Sequence, residues 1–261
     1  MCASVTAPSC AGCAMLHDEA RKLRERVGLL EARLRQIALE AREARRRMKV
    51  ISTGVCDAPM VSRCRSSVRA ACEHLDESVE HIWQVAGPSN ARAHFDFLTE
   101  KIGACAPEEI VVAVDLDDTI TPDALKIVAR LHELGAWVTY GSFKHADGRP
   151  GFAAPCKAET CRRDPWTASH LKTFRAGLFN RIKDEDLKMG GEWLPHARDL
   201  ALMFPLLEMA RERAVFNPAT VYVYNYAASG EFKGPEAVRA EERRCVAHVR
   251  GLKTYERVAA L

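Results

Sequence analysis

Three carboxylates fall within four positions where an apolar run stops, in the stretch Val111-Val112-Ala113-Val114-Asp115-Leu116-Asp117-Asp118-Thr119-Ile120-Thr121. Carboxylates packed this closely repel one another, and a divalent cation relieves the repulsion. Two chemistries on phosphate esters use such a cluster. In one, Asp115 attacks phosphorus as a nucleophile and Asp117 handles the proton, with Mg²⁺ beside them. In the other, Asp115 and Asp117 grip a cation that bridges to the diphosphate of a nucleotide and steadies it as it leaves. The second chemistry also needs a carboxylate base elsewhere, to deprotonate an attacking hydroxyl.

The elements that position this cluster follow from the apolar periodicity. Strands are expected over Lys49–Thr53, Val79–Val85, Glu109–Val114 and Ala136–Ser142, alternating with helices over Val61–His74, residues 89–104 and Asp123–Leu134. Gly135 ends the last of these. Such alternation implies a mainly parallel sheet flanked by helices, an α/β fold, with ligands bound beyond the C-terminal ends of the strands. Gly54–Asp57 and Asp115–Thr119 both lie there. His145–Trp166 is a long loop rich in Pro, Gly and Cys, of a length that suits function better than mere connection. Two helices are then expected, over "SHLKTFRAGLFNRI" and "ARDLALMFPLLEMARER", followed by a strand, "TVYVYNY", and a charged helical tail from Gly234.

Ahead of this domain, residues 1–15 are small and polar and read as disordered. From Leu16 the apolar positions run Leu16, Ala20, Leu23, Val27, Leu30, Leu34, Ile37, Ala41, Ala44 and Met48, a 4-3-4-3 spacing. That spacing predicts a coiled-coil helix over 16–48, which would make the chain a homo-oligomer. A lone amphipathic helix packed on the body is the other reading. The net charge of +3 is uneven: His17–Lys49 carries +5, leaving −2 for the rest, so the body has no electrostatic footprint for nucleic acid. No apolar run is long enough for a transmembrane segment. The N-terminal stretch lacks the basic start of an export signal, so a cytoplasmic protein with reduced thiols is expected. Cys10-x-x-Cys13 and Cys156-x4-Cys161 together have the sulfurs for a zinc site.

The Asp115-x-Asp117-x-Thr119 pattern matches the first motif of haloacid-dehalogenase-type phosphatases. Those enzymes place it on the first strand of the domain and need a lysine and a later acidic pair at a strand end. Here two βα units precede the motif, as in a fold that cradles a nucleotide first. Over roughly residues 49–226 the chain resembles the family-2 glycosyltransferases. "KVISTGVCDAPMVSRCRSSVRA" is similar to their opening strand, loop and helix, and "VDLDDTITPDALKIV" to their Asp-x-Asp segment. "DPWTASHLKTFRAGLFNRIKDEDLK" and "ARDLALMFPLLEMARERAVFNPATVYVYN" resemble a C-terminal block of one subgroup.

The resemblance implies a GT-A-like fold and an inverting transfer of a sugar from a nucleotide-sugar donor to a glycan or other hydroxyl acceptor. It implies Mn²⁺ or Mg²⁺ on Asp115 and Asp117, with Asp115 also touching the donor. Asp199 falls at the catalytic base, Thr53 at the nucleotide, and Trp166 and His170 at the sugar or acceptor pocket. Asp199 also reads as a carboxylate stabilising a helix start, and His170 as a helix-start residue with a structural hydrogen bond. The family's acidic pair after the second strand is replaced by Val85 and Ala86, with only Gly87 and Ser89 in register. An altered donor, a contact from another loop, or a catalytically inactive binding protein all remain open. The domains expected are therefore 1–15, the coiled coil at 16–48, a glycosyltransferase-like domain at 49–233 and a tail at 234–261.

Overall fold

The structure, a computed structural model, describes residues 11–73, 75, 79–85, 91–225 and 235–261. Residues 1–10, 74, 76–78, 86–90 and 226–234 lie outside the described residues. With them go the first part of the stretch expected to be disordered, Cys10, and the Ala86, Gly87 and Ser89 positions. The chain divides into two compact units, residues 1–43 and 44–261. The first is built on helix α1, Ala11–Arg46, which begins ahead of Leu16. On it Leu23, Val27, Leu30 and Leu34 are all more than half exposed.

In the second unit the order is β1 (Met48–Gly54), α2 (Ala58–Cys72), β2 (Val79–Val85), α3 (Ala91–Gly103), β3 (Ile110–Asp115) and β4 (Thr119–Ile120). Then come α4 (Ala124–Glu133), β5 (Val138–His145), β6 (Lys172–Arg175), α5 (Ala176–Phe179), the small hairpin β7 (Lys188–Met189) and β8 (Glu192–Trp193), α6 (Arg198–Ala210), β9 (Ala214–Tyr224) and α7 (Glu236–Gly251). The seven-stranded sheet runs β2-β1-β3-β6-β5-β9-β4. Strands β1, β2, β3, β5 and β9 point one way, while β6 and β4 run against them.

One expectation is corrected here. "SHLKTFRAGLFNRI" is not one helix: Lys172–Arg175 is strand β6, and only Ala176–Phe179 is helical. β6 fills the gap between β3 and β5, pairing antiparallel with both. All four of its residues are buried. A strand buried on both faces shows no polar alternation, so it is easily taken for a helix.

The helices cover both faces of the sheet. α3, α5, α6 and α7 pack on one side around Phe95, Phe174, Leu178, Phe204 and Val249. α2 and α4 pack on the other around Val61, Val68, Leu125 and Val128. α2 starts where the Asp57 side chain accepts from the Met60 N–H at 2.9 Å, an N-cap reinforced by Pro59. Beyond its first turn α6 is apolar except for Glu208, and every residue from Leu200 to Ala210 is buried. Gly141 is required where β5 approaches β9, because a Cβ there would strike the backbone of Asn217. Among the described residues no helix is long and apolar enough to cross a membrane.

The long loop is tied down from below. Arg162 donates to both oxygens of Glu208 on α6, at 2.5 and 3.0 Å, and to the Val249 carbonyl of α7 at 2.6 Å. The Arg162 and Glu208 side chains are both almost fully buried, so the pair anchors the loop to two helices at once.

Candidate active site

β1 and β3 are parallel neighbours that end together, with Thr53 opposite Asp115. Beyond Asp115 the chain turns sharply, the Asp118 N–H donating to the Asp115 carbonyl at 3.0 Å. This turn brings Asp115 and Asp118 to the same side. Because β6 runs against β3, the chain entering β6 arrives at this edge too and delivers His170. Asp115, Asp118 and His170 offer ligand atoms within 4.8 Å of one another, the group suited to a cation among the described residues. Asp117, expected as a ligand, is not in that group. Cys156 and Cys161 are free thiols outside it, and Cys10 is not described.

Asp118 is 1% exposed. It accepts from the Tyr222 hydroxyl at 2.7 Å and the Asn225 N–H at 2.6 Å. The same hydroxyl accepts from the Asp115 N–H at 3.2 Å. Burial, followed by the charges of Asp115 and Asp117, pushes the Asp118 carboxyl up to about 8. His170 stacks on Tyr222 with ring centroids 4.4 Å apart. Its Nε2 lies 3.9 Å from the Asp115 carboxylate, and its Nδ1 is buried with no partner among the described residues. Burial, then Lys172, lowers its pKa to about 4. It is therefore a neutral imidazole at pH 7, the form that binds metals.

Asp199 occupies the first turn of α6. Its carboxylate sits 2.8 Å from the ammonium of Lys172, a lysine whose side chain is only 2% exposed. Burial acts to raise the Asp199 pKa. Lys172, helped by His170 and Arg198, outweighs it and holds the carboxyl well below the usual range. Lys172 in turn stays charged, since Asp199 and Asp115 overcome the cost of its burial. Asp115, Lys172 and Asp199 line one pocket, together with Thr53, His94 and Arg198, above an apolar floor that includes Phe95, Val111 and Phe174. The Thr53 hydroxyl is buried and has no partner among the described residues.

Of the expected site residues, Thr53, Asp115 and Asp199 come together in this pocket, and His170 joins Asp115 at its edge. Trp166 packs instead against Phe204 of α6, centroids 5.5 Å apart, and is not part of the pocket wall. His170 precedes a strand and not a helix. Sequence reasoning missed Asp118 and Lys172. The three-residue step from Asp115 to Asp118 is the spacing of a tight turn and was the available signal for the first. Nothing marked Lys172 before its strand was recognised.

No family model and no curated protein matches this sequence. Among solved structures, residues 1–349 of S. aureus TarS are similar over 80% of this chain and 67% of that one, with a TM-score of 0.51 and 16% identity. The fold is GT-A-like. A longer S. aureus TarS structure matches over 77% of this chain and 39% of its own, with a TM-score of 0.49 and 17% identity. The 4-diphosphocytidyl-2C-methyl-D-erythritol synthase of Anaerococcus prevotii matches over 77% and 96%, with a TM-score of 0.38 and 10% identity. At these identities the likeness speaks for fold alone, and the last two fall below the similarity that carries an argument.

Proposed function

We propose that the chain is a metal-dependent, family-2-like glycosyltransferase that moves a sugar from a nucleotide-sugar donor to a hydroxyl acceptor with inversion. The observation that carries this reading is the pairing of sites at one end of the strands: a cation-ready group around Asp115, and Asp199 in the wall of the same pocket as Asp115. Two carboxylates and a neutral imidazole fit a divalent ion, and the imidazole favours Mn²⁺ over Mg²⁺. When bound, the ion supplies positive charge for the departing diphosphate. Asp115, Asp118 and His170 would hold it. Lys172 keeps Asp199 ionised, so Asp199 is available to take the acceptor's proton as the new bond forms. The aromatic group Phe143, Phe152 and Tyr224 adjoins His170 where the long loop leaves β5, and would form the acceptor side. A phosphatase would place Asp115 on the first strand of its domain, whereas β3 is third.

The test is incubation with Mn²⁺ and a panel of nucleotide sugars, with and without glycan acceptors. Release of nucleoside diphosphate is expected, with loss of transfer in Asp199→Asn. Silence across the whole panel would sink the reading in favour of an inactive binding protein. Loss of p-nitrophenyl phosphate hydrolysis in Asp115→Asn would instead establish the phosphatase.

The exposed seam of α1 supports a second proposal, that a second copy of α1 covers Leu23, Val27, Leu30 and Leu34. Deleting residues 1–48 should then at least halve the mass measured by light scattering. An unchanged mass would refute it.

A further inference from the structure

Arg198 is the first residue of α6, beside Asp199, and lines the same pocket. It is half-buried, and no hydrogen bond or ion pair joins it to another described residue. Its charge acts on two pocket residues, His94 and the adjacent Asp199, whose carboxylate already has the Lys172 ammonium at 2.8 Å. His94 offers it no charge, because burial, then Arg198 itself, lowers the His94 pKa to about 4. The helix that Arg198 opens has no side-chain cap. Its N-cap position is Ala197, at φ 58°, which has no side-chain acceptor to offer. A guanidinium with no hydrogen-bonded partner among the described residues and uncapped N–H groups at the start of a 13-residue helix form an anion-binding arrangement. A second observation concerns the same pocket: Thr53 is 7% exposed, lines it and leaves its hydroxyl unpartnered among the described residues, a buried polar group that a polar ligand atom would satisfy.

The charges of the site indicate which anion. Lys172 matches Asp199. A divalent ion on the Asp115 group matches Asp115 and Asp118. The diphosphate of a nucleotide sugar brings further negative charge, and Arg198 with the α6 terminus is the positive group left to meet it. The position agrees. Thr53 stands at the end of β1, on the side of the sheet expected to take the nucleoside, and Asp199 stands where the acceptor would be deprotonated. A donor laid between them carries its diphosphate past Arg198.

We propose that Arg198 and the first turn of α6 bind an oxyanion of the donor's diphosphate. The proposal rests on the glycosyltransferase reading and adds a residue to it. In the transfer, the bond from the anomeric carbon to the diphosphate oxygen breaks, and its electron pair stays with the diphosphate. The acceptor oxygen bonds to that carbon, and its proton passes to Asp199. Arg198 exchanges no proton. It meets the charge that grows on the leaving oxygens.

The experiment is calorimetric titration of the full-length, Mn²⁺-loaded protein with UDP, GDP, CDP, ADP and dTDP, and with the matching nucleosides. Wild type is compared with Arg198→Gln and Arg198→Lys. For the diphosphate that wild type binds, Arg198→Gln should lose roughly 10- to 100-fold in affinity, the range for a charged hydrogen bond. Arg198→Lys should recover part of it, and binding of the nucleoside should not change. Because Arg198 makes no side-chain hydrogen bond or ion pair with another described residue, and Lys172 alone pairs with Asp199, the melting temperature of both variants should stay close to that of wild type. Equal diphosphate affinity in wild type and Arg198→Gln overturns the assignment and leaves the glycosyltransferase reading intact. An equal loss for diphosphate and nucleoside also overturns it, since the effect would then be on pocket shape. If wild type binds none of the diphosphates, both readings fall.

Discussion

Asp118 and Asp199 are carboxylates at one sheet edge, and their surroundings push them in opposite directions. Asp118 is buried beside two other carboxylates, with hydrogen bonds from Tyr222 and Asn225 and no ion pair among the described residues. Asp199 has a cation of its own, the ammonium of Lys172, and reaches solvent on one side. Acids driven apart in this way take different tasks. Under the proposed function, Asp118 would be completed by a positive charge brought from outside, whereas Asp199 already has Lys172 and would stay ionised to take a proton.

The same change, Asp to Asn, should therefore have opposite effects on the stability of the metal-free protein. The largest effect is expected for Asp199→Asn, which strands the Lys172 ammonium in the interior. Breaking a fully buried pair costs about 3–5 kcal/mol, and the exposure of Asp199 reduces this to about 2–4 kcal/mol of destabilisation in denaturant unfolding. A neutral or stabilising result would mean that Lys172 is not held as a buried cation. Next in size, Asp118→Asn should stabilise the chain in the presence of EDTA by about 1–3 kcal/mol at pH 8, by removing a carboxylate that its setting disfavours. The gain should shrink as pH falls from 8 and vanish below about pH 4, where wild-type Asp118 is protonated both folded and unfolded. The same variant should lose the rise in melting temperature that Mn²⁺ gives wild type. If Mn²⁺ stabilises both equally, Asp118 is not a ligand.

The smallest effect separates these carboxylates from general acid sensitivity. His132 lies on α4, away from the pocket, bonded to Thr173 at 2.7 Å and to the Ala136 carbonyl at 3.0 Å. Burial, then Arg175, lowers its pKa to about 3. A depressed histidine contributes stability that is fully present above about pH 6.5 and lost as pH falls towards its folded value. Between pH 7 and 5.5 that loss is roughly 1 kcal/mol. Denaturant midpoints for His132→Gln should show a pH slope flatter by this amount. An unchanged slope would place the acid sensitivity elsewhere, with His170 and its neighbours the first to examine.

What the sequence disclosed divides along similar lines. The parallel units around β1, β2 and β3 were legible because each joins an apolar run to a helix of ordinary length. The first turn of α6 was legible for the same reason, and with it the place of Asp199. β6 was not. Its four residues obey a constraint set by β3 and β5, strands roughly 35 to 60 residues before it in the chain, and carry no period of their own. With β6 hidden, Lys172 and the role of His170 beside Asp118 were hidden too, since both are brought to the edge by that strand. Asp118 itself stood in plain view but beside Asp117, and only the turn that closes on Asp115 selects one over the other.

β6 has one more consequence. His170 and Lys172 are two positions apart at the mouth of one short strand wedged between two others, the first turned towards the Asp115 group and the second bound to Asp199. The strand thus acts as a ruler. The spacing between the Asp115 group and the carboxylate of Asp199 is written into two residues of backbone. A loop movement that dragged one would drag the other, so in the proposed transfer the leaving-group end and the acceptor end would be displaced together but not apart.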